Sequence, residues 1–256
     1  KSIPSISVST TTASSIQDST FPMVYLQVGE SFINPLHGYS SELNSSTVRE
    51  SITPLDTGKT FAVNIAENDS KIKKLSYELR DIANNKSIET GDITAFDKNK
   101  KYKVATVHLK EAMDTSTEYG FCMTLITNYS KKIHFYTRIK YYDNDFFLSK
   151  KLDFVAKFHA ATFDQGRSLD LSQYLESGTN DDSSYESVDI HSSRKLITWG
   201  KLKPKRLTDV VPTVKELNIE TAAISQTYFV SATTASGSET YQVKEFYRVR
   251  YSGGRI

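Results

Sequence analysis

Phe61-Ala62-Val63-Asn64-Ile65, Leu75-Ser76-Tyr77-Glu78-Leu79, Tyr119-Gly120-Phe121-Cys122-Met123-Thr124-Leu125 and Ile133-His134-Phe135-Tyr136-Thr137-Arg138-Ile139-Lys140-Tyr141 decide the fold of this chain. Side chains two apart on a strand share one face. Each run therefore builds one apolar face and one polar face, the pattern of a half-buried strand. Asn84-Asn85-Lys86 and Asn128-Tyr129-Ser130-Lys131 punctuate the block, and both are hairpin signals. Strands at such intervals predict an immunoglobulin-like antiparallel β-sandwich over residues 21–143.

Upstream, Val24, Leu26 and Val28 alternate as a first strand, and Gly29-Glu30 turns it. Asn34-Pro35 and His37-Gly38 read as a loop or second turn, and residues 46–50 as a short helical turn. Thr53-Pro54-Leu55-Asp56-Thr57-Gly58 reads as a connection, since Pro and Gly punctuate it. Tyr102/Val104 and Val107/Leu109 are out of phase, which predicts a bulge near Ala105-Thr106 or a strand covered on both faces. Residues 1–20 are rich in Ser and Thr and too poor in apolar side chains to bury a core; they read as a flexible stalk.

Downstream the period changes. Leu148, Leu152, Val155 and Phe158 recur at helical spacing and predict one amphipathic helix over 146–163, with Asp145 as N-cap and Gly166 as stop. Leu169–Leu175 is a candidate short helix, and 177–187 a polar surface loop. Val188/Ile190, Leu196–Trp199, Val211–Ile219, Ala223–Ala232 and Tyr241–Tyr251 are strand candidates, with Ala235-Ser236-Gly237-Ser238 as a hairpin tip. One helix on an antiparallel sheet is an α+β pattern, assigned to residues 144–256. The fold class is thus mainly β with α+β.

Composition narrows the function by exclusion. The chain has 256 residues, 38% hydrophobic and 24% charged, with a net charge of +2. That balance carries no general attraction to nucleic acid, and none is expected as a partner. Cys122 is the single cysteine, so no intrachain disulfide and no cysteine zinc site exists; it reads as a small buried hydrophobe. No phosphate loop, dinucleotide fingerprint, nucleophile elbow or paired-histidine motif is present, and no catalytic, cofactor or metal residue is nominated. His37, His108, His134, His159 and His191 stand apart in sequence. Asp143-Asn144-Asp145 offers oxygens for a cation but lacks the remaining loop ligands, and helix capping is its simpler use.

One charge asymmetry stands out. Arg194, Lys195, Lys201, Lys203, Lys205 and Arg206 surround Trp199, the single tryptophan, with no acid among them. The plain reading is a solvated rim around a tryptophan packed under the helix. The functional reading is an interaction patch for a protein or a cell-wall polymer.

Phe21-Pro22-Met23-Val24-Tyr25, His37-Gly38-Tyr39, Arg49-Glu50-Ser51-Ile52-Thr53-Pro54-Leu55, Phe135-Tyr136-Thr137-Arg138-Ile139, Thr198-Trp199-Gly200 and Phe246-Tyr247-Arg248-Val249-Arg250-Tyr251 together resemble uncharacterised membrane-anchored extracytoplasmic proteins of Gram-positive anaerobes. The resemblance implies a single N-terminal anchor and a longer parent protein at the cell surface, and it brings no known activity. The expectation is a non-catalytic extracytoplasmic binding or scaffold module. Two alternatives stand beside it. One is a hydrolase of wall glycan or peptide using scattered acids such as Asp164, Asp170 or Glu176. The other is a ligand-sensing ectodomain with a pocket between helix and sheet.

Overall fold

The computed structural model describes residues 21–44, 48–115, 117–176, 184–234 and 237–256. The stalk expected over 1–20 lies outside the described residues, as do the first two residues of the turn expected at 46–50, much of the 177–187 loop and half of the hairpin tip at 235–238.

The fold is mainly β. In chain order the elements are β1 (Met23–Val28), β2 (Ser31–Leu36), β3 (Ile52–Leu55), β4 (Thr60–Ala66), β5 (Ile72–Asp81), β6 (Ser87–Ile93), β7 (Asp97–Asn99), β8 (Tyr102–His108), β9 (Glu118–Thr127) and β10 (Lys132–Tyr141). Then come α1 (Leu148–Phe163), a 3-10 turn (Leu171–Tyr174), α2 (Arg194–Ile197), β11 (Lys205–Arg206), β12 (Thr213–Leu217), β13 (Thr221–Thr234) and β14 (Gly237–Arg250).

The chain divides into two compact units that are interleaved in sequence. The larger takes the described residues of Asp18–Val155, Val210–Gln226 and Glu245–Ile256; the smaller takes Ala156–Asp209 and Thr227–Lys244. Asp143, the expected junction, falls inside the larger unit.

In the larger unit two five-stranded sheets share one core. Their orders are β2-β1-β4-β8-β7 and β3-β10-β9-β5-β6. Val24 and Leu26 on β1, Phe61, Val63 and Ile65 on β4, and Phe121, Met123 and Leu125 on β9 are all buried, as their alternation requires. The rings of Phe61 and Phe121 meet edge to face at 5.2 Å, one from each sheet. Tyr77 on β5 stacks on Phe121 at 5.6 Å and lies directly opposite Gly91 on β6, where a Cβ would sit 2.4 Å from the tyrosine ring.

Four expectations are corrected here. Asn34-Pro35 is not a loop but part of β2, with Asn34 at φ +52°. β2 is an edge strand, where proline leaves no ladder bond unmade. Ile52-Thr53-Pro54-Leu55 is likewise not a connection: it is β3, wholly buried and paired in parallel with β10. Only the turn after it, closed by the Lys59 amide on the Asp56 carbonyl at 3.0 Å, is a connection. No bulge interrupts Ala105-Thr106, for β4 and β8 pair without a break from Thr60↔His108 to Ile65↔Lys103. The phase change arises because Tyr102 turns outward and packs with Tyr25 and Phe32, at 5.6 and 5.5 Å, while Ala105 and Val107 turn inward. Cys122, finally, is half-buried on β9 between the fully buried Phe121 and Met123.

A buried polar cluster ties the ends of this unit together. The Asn34 amide donates to the Ile52 carbonyl at 2.8 Å and to Thr53 Oγ1 at 3.2 Å, and its oxygen accepts the Val214 N–H at 2.9 Å. Thr137 Oγ1 on β10 lies 2.9 Å from Ser51 Oγ and 3.0 Å from Thr53 Oγ1. Buried polar groups persist only when satisfied in this way.

In the smaller unit β11 pairs with β13 through Lys205↔Ser231 and Arg206↔Val230. Leu196–Trp199 is corrected from strand to helix and turn: Ser193 caps α2, its Oγ accepting the Leu196 N–H at 3.3 Å, so the apolar residues there wind rather than extend. Val188 and Ile190 form no strand and are exposed. No helix among the described residues is long and apolar enough to cross a membrane.

Candidate functional site

The smaller unit carries the basic residues, and local capping sets where they point. α1 ends where the Gly166 N–H reaches the Ala161 carbonyl at 2.7 Å, with Gln165 and Gly166 both at positive φ. Arg194 closes over this stop. Its Nη2 donates to the Gln165 carbonyl at 3.0 Å, and a Cβ on Gly166 would meet the guanidinium at 2.8 Å. After α2 the chain reverses through two left-handed residues, Trp199 (φ +65°) and Gly200 (φ +53°), and the Gly200 N–H returns to the Lys195 carbonyl at 2.8 Å.

Four aromatic rings run from the core of this unit to its surface. Tyr228, 1% exposed, packs on Phe163 at 6.0 Å; Phe163 packs on Trp199 at 5.6 Å; Trp199 lies nearly parallel to Tyr185, with 6.2 Å between centroids and 14° between planes. The Tyr185 hydroxyl donates to the Trp199 carbonyl at 2.9 Å. His159, 5% exposed, packs edge-on to Tyr228 at 5.0 Å, and Arg206 Nη1 donates to its Nε2 at 3.3 Å.

Arg194, Lys195, Lys201, Lys203, Lys205 and Arg206 are all exposed, while Trp199 is half-buried against Phe163. Arg194 and Arg206 are positioned by Gln165 and His159. Lys195, Lys201, Lys203 and Lys205 make no ion pair among the described residues. Tyr185 was not singled out by the sequence reading. It sits in a Ser/Glu-rich stretch with no local pattern, and only the fold brings it onto Trp199.

The scattered acids each serve a local turn. Asp164 accepts the backbone N–H groups of Arg167 and Ser168 at 2.9 and 3.0 Å. The Ser168 side chain first, and these amides after it, hold its carboxyl below the usual range. Asp170 caps the 3-10 turn through Ser172, which lowers its pKa likewise. Glu176 is exposed, 3.8 Å from His191. Asp145 accepts the Phe147 N–H at 2.8 Å at the entrance to α1. No group of three or more metal-ligating side chains occurs among the described residues.

The larger unit holds an open cavity of about 550 Å³, lined by Thr115, Lys140, Tyr142, Asp143, Asn144 and the Asn218–Thr221 turn. Beneath the turn lies Lys151, fully buried, whose Nζ donates to the carbonyls of Phe146, Asn218 and Ile219 at 2.9, 2.7 and 2.7 Å. Burial pushes its pKa down to about 8, with Asp145 pulling the other way. Three acceptors match the three protons of an ammonium, so the charged form fits this cage. Tyr142 donates to the Leu217 carbonyl at 2.5 Å, and burial raises its pKa. Both side chains hold the turn from below, and neither presents a free reactive atom to the cavity.

No protein-family model matches the chain, and no curated protein shows a significant match.

Proposed function

We propose that this chain is a non-catalytic binding or scaffold module of a cell-surface protein, acting outside the membrane, and that its basic segment holds an anionic cell-wall polymer. On this reading the two facing sheets form an immunoglobulin-like sandwich, and the region after about residue 143 is an α+β domain with α1 on an antiparallel sheet. The observation that carries the binding role is the set of four exposed lysines, Lys195, Lys201, Lys203 and Lys205, without carboxylate partners among the described residues. Like charges gathered on one short segment repel, and an external polyanion relieves that repulsion. The sequence resemblance to anchored extracytoplasmic proteins supports the location.

The test is a titration of the purified chain with polyphosphate at 50 and 200 mM salt. Lys201→Glu, Lys203→Glu and Lys205→Glu combined are expected to weaken binding by about tenfold or more, and higher salt to weaken the parent chain in the same direction. Affinity unchanged by three charge reversals would overturn the assignment.

A further inference from the structure

Tyr129 and Tyr185 show two ways of exposing a tyrosine. Tyr129 lies at a hairpin turn, 85% exposed. Tyr185 is 39% exposed but immobilised: one face lies against Trp199, and its hydroxyl is tied to the Trp199 carbonyl. Gly200 is needed for this seat. A Cβ there would stand 2.6 Å from the Tyr185 hydroxyl and 3.8 Å from Lys195 Cγ, so the hydroxyl and the base of the Lys195 side chain adjoin the same residue. Lys201 follows directly in the chain. Behind Trp199, Phe163 and Tyr228 continue the support into the core.

A fixed ring with one face backed and part of its surface open is a stacking platform, and its order is established before any ligand arrives. Lys195 and Lys201, on the same short segment and without an ion pair among the described residues, add a preference for negative charge. Nucleic acid would call for several interleaved rings along a groove, whereas this segment exposes one. We infer that Tyr185, Lys195 and Lys201 form a saccharide subsite, in which the tyrosine ring stacks on the apolar face of a sugar and the ammonium groups pair with a phosphate or carboxylate that the sugar carries. The subsite rests on the reading of the basic segment as an anion-binding surface, and it narrows the ligand to an anionic glycan.

The experiment compares three probes on the full chain: polygalacturonate (rings with charge), polyphosphate (charge without rings) and dextran (rings without charge). Polygalacturonate is expected to bind most tightly at matched charge and to change Trp199 fluorescence, since the sugar would sit on the ring that covers it. Tyr185→Ala is expected to weaken polygalacturonate about tenfold while leaving polyphosphate within about twofold. Tyr185→Phe, which keeps the ring, is expected to keep most of the polygalacturonate affinity and so controls for folding. If both polyanions bind and Tyr185→Ala changes neither, or lowers both equally, the subsite is overturned and the polyanion surface stands. If neither polyanion binds, both readings fall. Dextran binding as tightly as polygalacturonate would remove the lysines from the subsite.

Discussion

Asn34 Oδ1 accepts the backbone N–H of Val214 at 2.9 Å, joining residues 180 positions apart. The same side chain donates to Ile52, so one amide links β2, β3 and β12. Asn34 also takes φ +52°, a conformation that asparagine tolerates better than most residues. Two substitutions separate these contributions. Asn34→Gly keeps the backbone conformation and leaves buried groups unpaired, an expected loss of about 2–3 kcal/mol in urea unfolding. Asn34→Ala adds the positive-φ strain and is expected to lose about 1 kcal/mol more. Equal stability of the two variants would show that the backbone conformation carries no cost there.

Lys151 predicts a measurable dependence of stability on pH. Its folded pKa, about 8, lies below its ordinary 10.5, so between those values the unfolded chain binds more protons. Stability therefore rises with pH across that window, by at most about 3 kcal/mol. Tyr142 acts oppositely. Its folded pKa is raised, so its contribution is complete below pH 10 and is lost at higher pH as the unfolded chain ionises first. Denaturation midpoints from pH 7 to 11 should climb and then turn down. Lys151→Met should abolish the climb, and Tyr142→Phe should make the downturn shallower, the remainder coming from Tyr39, Tyr77, Tyr136 and Tyr241, whose pKa values are also raised. Lys151→Met also strands three carbonyls, and at pH 7 it is expected to cost about 2–4 kcal/mol.

Gly91 makes room for Tyr77. A methyl group there would stand 2.4 Å from the ring, which packs on Phe121. Gly91→Ala should destabilise by about 1–3 kcal/mol, because a well-packed ring must leave its place. In a Tyr77→Ala background the same change should cost much less, and a double-mutant cycle with no coupling would refute the contact as the cause.

Gly166 makes a similar test in the smaller unit. Its φ of +75° and the Arg194 guanidinium over it both oppose a side chain, so Gly166→Ala should cost about 1–2 kcal/mol. Trp199, the single tryptophan, lies in this unit and reports on it by fluorescence. An unchanged melt at Trp199 would contradict the prediction.

The strands legible from sequence were those whose burial alternates. Phe61, Phe121 and Phe135 sit on inner faces and mark their strands by period alone. β3 escaped because proline reads as a break, yet at a sheet edge Pro54 does no harm, and burial on both sides erases the alternation. β6 escaped for the opposite reason: Glu89, Gly91 and Asp92 leave it little apolar signal, and its pairing to β5 supplies the order. Leu196–Trp199 looked like a strand because four residues cannot display a helical period, and the Ser193 cap decided the matter. The basic run was plain in the sequence, whereas the ring that gives it shape was not. Tyr185 meets Trp199 only through tertiary folding.

Val24 and Val249 belong to the same buried cluster of the larger unit, although the smaller unit's residues intervene between them. During synthesis, the early strands therefore lack part of their cover until β14 has left the ribosome. Shortening the chain before β14 would leave that interior unsealed, so truncated products should be prone to clump, and a chaperone that shields nascent strands would be of most use to this protein before β14 emerges.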